Sequence, residues 1–330
     1  GSFSLTAQAD AGTPYISYIY DLKDKPVIIP APFVPEMVTE GFDLDAGPLR
    51  DVSDIYYDKI SKLVYITDSG NQRILVLNQS FQLLSVLDGF NNNGVKDTFN
   101  EPLSVFVRDG KLYIADSRSE RIVCLDQKTG AMIRIYKKPV ISLLDEGYTY
   151  TPEQVVVDSA GRMYVTAQGI NQGLLQLDQK GDFTGFMGAP KVHLTFLDMI
   201  WRSVATQEQR ENMIKAIPTE YTSIAVDDKG FIYATSMSEG VAPISRLNGQ
   251  GENVIHFTDI PPDGDGQYAS KAAAAASDSK FTDIAVRDDG VYCVSDTVRC
   301  RIFVYDRNGR LLYAFGGSGA QKGTSYSPSS

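Results

Sequence analysis

Apolar and polar residues alternate in short stretches along nearly the whole chain. The alternation is interrupted about every 8–12 residues by Gly, Asp or Asn, the pattern of antiparallel strands joined by tight turns. KLYIADSRSERIVCLDQKTGAMIRIY, residues 111–136, shows it most plainly: two alternating stretches flank a polar hexapeptide, Asp116 to Arg121. The same shape recurs in LVYITDSGNQRILVLNQSFQLLSVL and in GVYCVSDTVRCRIFVYDRNGRLLYAF.

Aligning the segments that lead into these stretches gives a column: DVSDIYYD, EPLSVFVRD, TPEQVVVD, EYTSIAVDD and KFTDIAVRD. Its anchors Asp54, Ser104, Gln154, Ser223 and Asp283 are spaced 50, 50, 69 and 60 residues apart by subtraction. Each unit reads as four strands. The first is continuously apolar, so both of its faces must be covered, and the fourth is mixed, so it lies half in water. Units of about 40–50 residues with four such strands stack radially around a common axis. The fold class expected is all-β, a β-propeller of four-stranded antiparallel blades. Six blades are expected, five of them clear repeats, with the N-terminal stretches 15–20, 26–29 and 36–42 helping to close the ring. One domain spans 15–317. Residues 1–14 read as a cloning remnant (Gly-Ser) and a disordered N-terminus, and 318–330 as a disordered tail.

The hexapeptides carry a second regularity. Asp68 with Arg73, Asp116 with Arg121, and Asp296 with Arg301 stand five apart, ending one strand and beginning the next. A forked guanidinium binds a carboxylate that can also accept backbone N–H groups, so each pair is expected to clamp its blade. Blades three and four have Ala167 and Ser236 where the Asp would stand.

The pattern P-x-x-[IV]-x-[VF]-D, then [LI]-Y-[IV]-x-D-[ST], then R-I, resembles the NHL-repeat family of propellers over about residues 51–317. YIYDLKDKPVIIPAPFVPE, GLLQLDQKGDFTGFMGA and LTFLDMIWRSVATQEQRENMIKAIP resemble exported bacterial NHL proteins, some associated with Yip-type membrane domains. The resemblance implies a six-bladed extracytoplasmic propeller and does not imply an enzyme.

Charge removes one partner class. The net charge is −10 with both signs interspersed, and the longest basic cluster is Lys137-Lys138, so no nucleic acid is expected. No apolar run reaches the 18–20 residues or so of a membrane span, although the full-length protein is expected to admit membrane attachment. Ala-Gln-Ala near the N-terminus fits the end of a secretory signal, pointing to an extracellular or cell-surface location. The three cysteines read as free, buried thiols.

Two long connectors depart from the repeat. Residues 195–217 read as two short helices, with Trp201 as the natural contact residue if they cover one mouth of the ring. The connector DIPPDGDGQYASKAAAAASDSK begins with an Asp-x-Asp, but position twelve of an EF-hand loop would be Ala274 in place of Glu.

Two adjacent columns are candidates for the channel mouth: Ser53, Leu103, Glu153, Thr222, Thr282, and Asp54, Ser104, Gln154, Ser223, Asp283. The ligand-binding set expected is Asp54, Ser104, Glu153, Gln154, Ser223, Asp283 and Trp201, with no catalytic residue and no metal ligand assigned. Calcium alone is admitted as a cofactor, because a hard cation needs six to eight oxygens and these columns hold three carboxylates. A zinc lyase needs about three ligands, usually His, and the chain has only His193 and His256. Two readings survive: a non-catalytic platform for a protein, peptide or glycan, and a calcium-assisted hydrolase of lactone or ester type using Glu153, Asp54 and Asp283.

Overall fold

The computed structural model describes residues 13–145, 147–188, 219–255, 262–268 and 279–319. These form a β-propeller of five blades of antiparallel sheets. Blade one is Val52–Asp58, Leu63–Asp68, Arg73–Leu77 and Leu83–Leu87. Blade two is Pro102–Arg108, Lys111–Asp116, Arg121–Asp126 and Met132–Lys137. Blade three is Thr151–Val157, Met163–Gln168, Leu174–Leu177 and Phe183–Met187. The described strands of blade four are Tyr221–Val226, Ile232–Ser236 and Ile244–Leu247. Blade five is Phe281–Val286, Tyr292–Asp296, Arg301–Tyr305 and Leu311–Phe315.

The expected sixth blade is not among the described residues, and the expected helices at 195–217, with Trp201, lie outside them. The N-terminal hairpin Ser17–Tyr20 and Pro26–Ile29 is added to the outer edge of blade five, giving one six-stranded sheet. The stretch 36–42 is not a strand. The chain turns there instead, with Leu44 N donating to Glu40 O and Asp45 N to Phe42 O.

Alternation within each sheet sends successive side chains to opposite neighbours. In blade one, Tyr65, Ile74 and Val76 pack against Val105, Val107, Ile114 and Val123 of blade two. The other face, Val64, Ile66, Leu75 and Leu77, is covered by Leu44, Ala46 and Leu49 of the N-terminal arm. Blades two to four share a continuous core. Tyr233 and Ile244 of blade four meet Ile284, Tyr292, Phe303 and Tyr305 of blade five. The second strands read as apolar runs because both of their faces are covered.

The polar hexapeptides are 3₁₀ turns, Ser69–Asn71 and Ser117–Ser119. Each is followed by a left-handed residue, Gln72 at φ 56° and Glu120 at φ 50°, and Cys300 at φ 51° occupies the same place in blade five. A non-glycine residue there is strained, and the loop must be held from outside. In blade one Asp68 Oδ2 accepts from Arg73 Nε at 2.7 Å, while Asp68 Oδ1 accepts from Arg50 N at 2.7 Å. In blade two Asp116 accepts from Arg121 Nε at 2.7 Å and from Asn100 N at 2.6 Å. Each buried carboxylate thus ties the loop to the segment leading into its own blade.

Blade five corrects the expected Asp296–Arg301 pair. Asp296 pairs with Arg299 Nη1 at 2.8 Å, and Arg301 Nη1 turns to Asp265 Oδ2 at 2.8 Å. Asp265 belongs to the 3₁₀ turn Gly264–Tyr268, and its Oδ1 accepts from Tyr18 and Tyr20 Oη, both at 2.6 Å. This carboxylate staples connector, N-terminal hairpin and blade five together. Cys124 and Cys300 are buried, Cys293 is half-buried, and all three are free thiols.

Candidate functional site

The first strands of all five blades line one axial cavity of about 750 Å³. It runs from Asp54, Ser104, Gln154, Ser223 and Asp283 at one end to the turns after the first strands, at Lys59, Asp109, Asp228 and Asp288. Of the two candidate columns, only the second faces it. Ser53, Leu103, Glu153, Thr222 and Thr282 are not among its lining residues.

A β-bulge separates the columns. In every blade the first strand shifts register by one residue at this point: Val52 pairs with Asp68 but Asp54 with Thr67, Pro102 with Asp116 but Ser104 with Ala115. The same skip falls at Glu153, Thr222 and Thr282. A bulge leaves one residue unpaired and re-aims its neighbours. In blades one and four the ejected residue serves the blade joints. Ser53 Oγ donates to Leu103 O at 2.7 Å, and Thr222 Oγ1 to Phe281 O at 2.8 Å.

The second column also staples blade to blade. Asp54 Oδ2 accepts from Val105 N at 2.9 Å, Gln154 Oε1 from Ile224 N at 2.8 Å, and Ser223 Oγ from Ile284 N at 3.2 Å. Ser223 Oγ in turn donates to Asp283 Oδ1 at 3.0 Å. Ser104 is the exception: it is 3% exposed, and its Oγ has no hydrogen-bond partner among the described residues.

Burial pushes the Asp54 carboxyl up to about 7, with the charge of Asp283 adding to the effect and the Val105 N–H opposing it. Asp283 is raised by burial, against the hydrogen bonds from Ser223 and Ile284. Glu153 is raised by burial and by Glu220, not by either channel carboxylate, so it stands apart from the pair. The structure therefore brings together Asp54, Ser104, Gln154, Ser223 and Asp283, and leaves Glu153 outside the set.

The opposite mouth carries groups that the column reading did not single out. Lys59 Nζ lies 3.1 Å from Asp228 Oδ2 and also bonds Asp288, linking the turn of blade one to those of blades four and five. Arg108 Nη1 approaches Asp228 Oδ1 at 3.7 Å. The sequence signal was available, since Lys59, Asp228 and Asp288 each stand five residues after their column anchor, in the aligned turn. Between floor and mouth the lining includes Ile55, Val105, Val155, Ile224 and Ala285, and over the whole cavity polar and apolar surface are nearly balanced. Among the described residues no group of three or more His, Cys, Asp or Glu side chains gathers as a metal cluster.

No protein-family model matches the chain, and no curated protein matches it. Solved structures similar to it include virginiamycin B lyase from Staphylococcus aureus, 13% identical, covering 90% of this chain and 76% of that one, at a TM-score of 0.47. A gluconolactonase from Xanthomonas campestris is 13% identical, covering 80% and 75%, at a TM-score of 0.46. A streptogramin B lyase is 14% identical, covering 79% and 68%, at a TM-score of 0.44.

Proposed function

We propose that this chain is an extracytoplasmic binding platform of NHL type, taking part of a protein, peptide or glycan into the axial cavity from the Lys59 end. The observation that carries the reading is the cavity itself: about 750 Å³, with polar and apolar surface in nearly equal share and charged groups gathered at floor and rim. In ligand sites apolar area supplies affinity and placed polar groups supply orientation, and both are present here. A rim of both signs, Lys59 and Arg108 beside Asp228 and Asp288, suits a polar macromolecular ligand better than nucleic acid.

A sixth blade belongs to the same proposal. First strands of successive blades lie side by side from one to five, but those of blades one and five do not pack in this way. Ile55 and Tyr57, on the face of blade one turned from blade two, line the axial cavity and are 55% and 48% exposed. A further unit between blades five and one would take the place held there by the N-terminal arm.

The test is a peptide and glycan array probed with the full chain and with Ala285→Trp, which fills the lumen. Ligands should be lost on the variant while its melting temperature is kept. Ligands that bind both equally refute the axial site. The coupled Asp54–Asp283 pair favours a second reading, hydrolysis of a lactone or ester with calcium. Turnover in millimolar calcium that Asp54→Asn abolishes would establish it.

A further inference from the structure

The outer strand of a blade presents a row of backbone groups that its own sheet leaves unpaired, and such an edge is a template for another strand. Blade five shows how this chain uses one. Its outer strand takes up the N-terminal hairpin, with Tyr18 opposite Ala314. The pairs beneath run Ile302↔Phe315, Phe303↔Ala314 and Val304↔Tyr313 before the register shifts. In blade one they run Ile74↔Leu87, Leu75↔Val86 and Val76↔Ser85 before the same shift. Val86 therefore stands where Ala314 receives a strand. Yet Leu83–Leu87 ends a four-stranded sheet, and nothing among the described residues is added to it.

This edge is also suited to a copy of itself. FQLLSVL, residues 81–87, holds no charge and no proline. Phe81, Leu84 and Val86 are 40%, 56% and 42% exposed. Turned antiparallel about a twofold axis through Ser85, the strand sets Leu84 against Val86 and Leu83 against Leu87 of the other copy. Apolar then meets apolar on both sides of a Ser–Ser pair, the self-complementarity that a twofold interface requires. Other edges lack it. In blade two Arg134 holds the place of Ser85 and would face its own copy, like charge on like. Blade three has Gly185 there, with no side chain to pack. The hairpin's outer strand Pro26–Ile29 begins with one proline and is followed by another, Pro30, and neither offers an N–H.

We infer that two copies of this chain pair through Leu83–Leu87, antiparallel about a twofold axis at Ser85, joining their blade-one sheets into one continuous sheet. The net charge of −10 on each copy opposes their approach, while the contact strands themselves are neutral. Salt screens the first and leaves the apolar contact intact, so pairing should tighten as ionic strength rises. The interface lies on the outer rim and does not depend on what the axial cavity binds.

The test uses the full chain. Sedimentation velocity over a concentration series should show monomer giving way to dimer, with a dissociation constant that falls as sodium chloride is added. An edge lysine is a device by which sheets prevent such pairing, so Val86→Lys should raise that constant by about tenfold or more while the melting temperature of the dilute protein holds. Ser85→Cys places two thiols opposite each other across the axis, within reach of a disulfide. Under mild oxidation it should give a covalent dimer faster than the wild type does, and faster than Ser80→Cys, on the exposed turn before the strand. A wild type that stays monomeric throughout, a dimer that Val86→Lys leaves intact, or cross-linking no faster at Ser85 than at Ser80 overturns the inference.

Discussion

Removing the Arg121 guanidinium should cost far more than removing its visible surface partner. Asp116 is 0% exposed and accepts from Arg121 Nε at 2.7 Å and from Asn100 N at 2.6 Å. Arg121 also forks onto Asp97, with Nη1 and Nη2 each at 2.9 Å, and lies over the Phe90 ring at 5.3 Å. Arg121→Met keeps much of the apolar stem but leaves Asp116 buried with the Asn100 backbone N–H as its one remaining donor among the described residues, a loss of roughly 3–5 kcal/mol. Asp97→Asn breaks a pair whose carboxylate is 26% exposed, and should cost under about 1 kcal/mol. In the Asp116→Asn, Arg121→Met double variant the orphaned charge is gone, so the combined loss should fall short of the sum by about 2 kcal/mol. Urea unfolding followed by far-UV circular dichroism measures all three, with an unchanged m-value required for the comparison. If Arg121→Met costs no more than Asp97→Asn, the clamp is a surface ion pair and the reasoning fails.

Other consequences are as direct. Asp54 is raised from 3.8 to about 7, so its contribution is fully present below pH 4 and is lost as pH rises through 7. At about 1.4 kcal/mol per pH unit the span is at most roughly 4 kcal/mol, less what cavity water and coupling to Asp283 remove. In chelator, wild-type stability should therefore fall between about pH 4 and 8, and Asp54→Asn should flatten that slope; identical slopes would refute the assignment. Asp265→Asn should speed hydrogen exchange in residues 17–29 without affecting blade two, because Tyr18, Tyr20 and Arg301 all close on that carboxylate. Leu75→Ala, at a site 0% exposed between blade one and the N-terminal arm, should lower stability by about 2–5 kcal/mol in the same urea assay. Lys59→Met should cost under about 1 kcal/mol, vanishing in molar salt, since all three partners are at least half exposed.

The propeller was legible because its period lies in the sequence: five anchors and a recurring turn chemistry need no long-range information. The clamps of blades one and two were legible because Asp68–Arg73 and Asp116–Arg121 are local pairs at a fixed spacing. Blade five has the same spacing, yet its arginine is claimed by Asp265 from a connector, and Arg299 takes Asp296. No local rule foresees that exchange. The floor ring was visible as a column of oxygen-bearing residues, but not which of two adjacent columns faces the axis. Glu153 was placed in the site for that reason. Deciding it requires knowing that a bulge falls at the same place in each first strand, and a bulge is set by pairing with the neighbouring strand, not by the residue ejected.

The N-terminal arm gives the ring its one asymmetric joint. Four joints between blades are made by sheet packing on sheet, with each hub staple reaching the next strand where one exists. Between blades five and one the arm is used twice: its hairpin extends blade five, with Tyr18 opposite Ala314, and Leu44, Ala46 and Leu49 cover blade one. The strap leaves apolar side chains in water, with Phe33 at 53%, Val38 at 63% and Phe42 at 71% exposed. Stability follows buried apolar area, so this joint should open before the others. Opening it would part Lys59 from Asp288 at the mouth and Asp54 from Asp283 at the floor, disturbing both ends of the axial cavity at once. The joint that holds the ring least firmly is therefore the one on which the geometry of the site depends most.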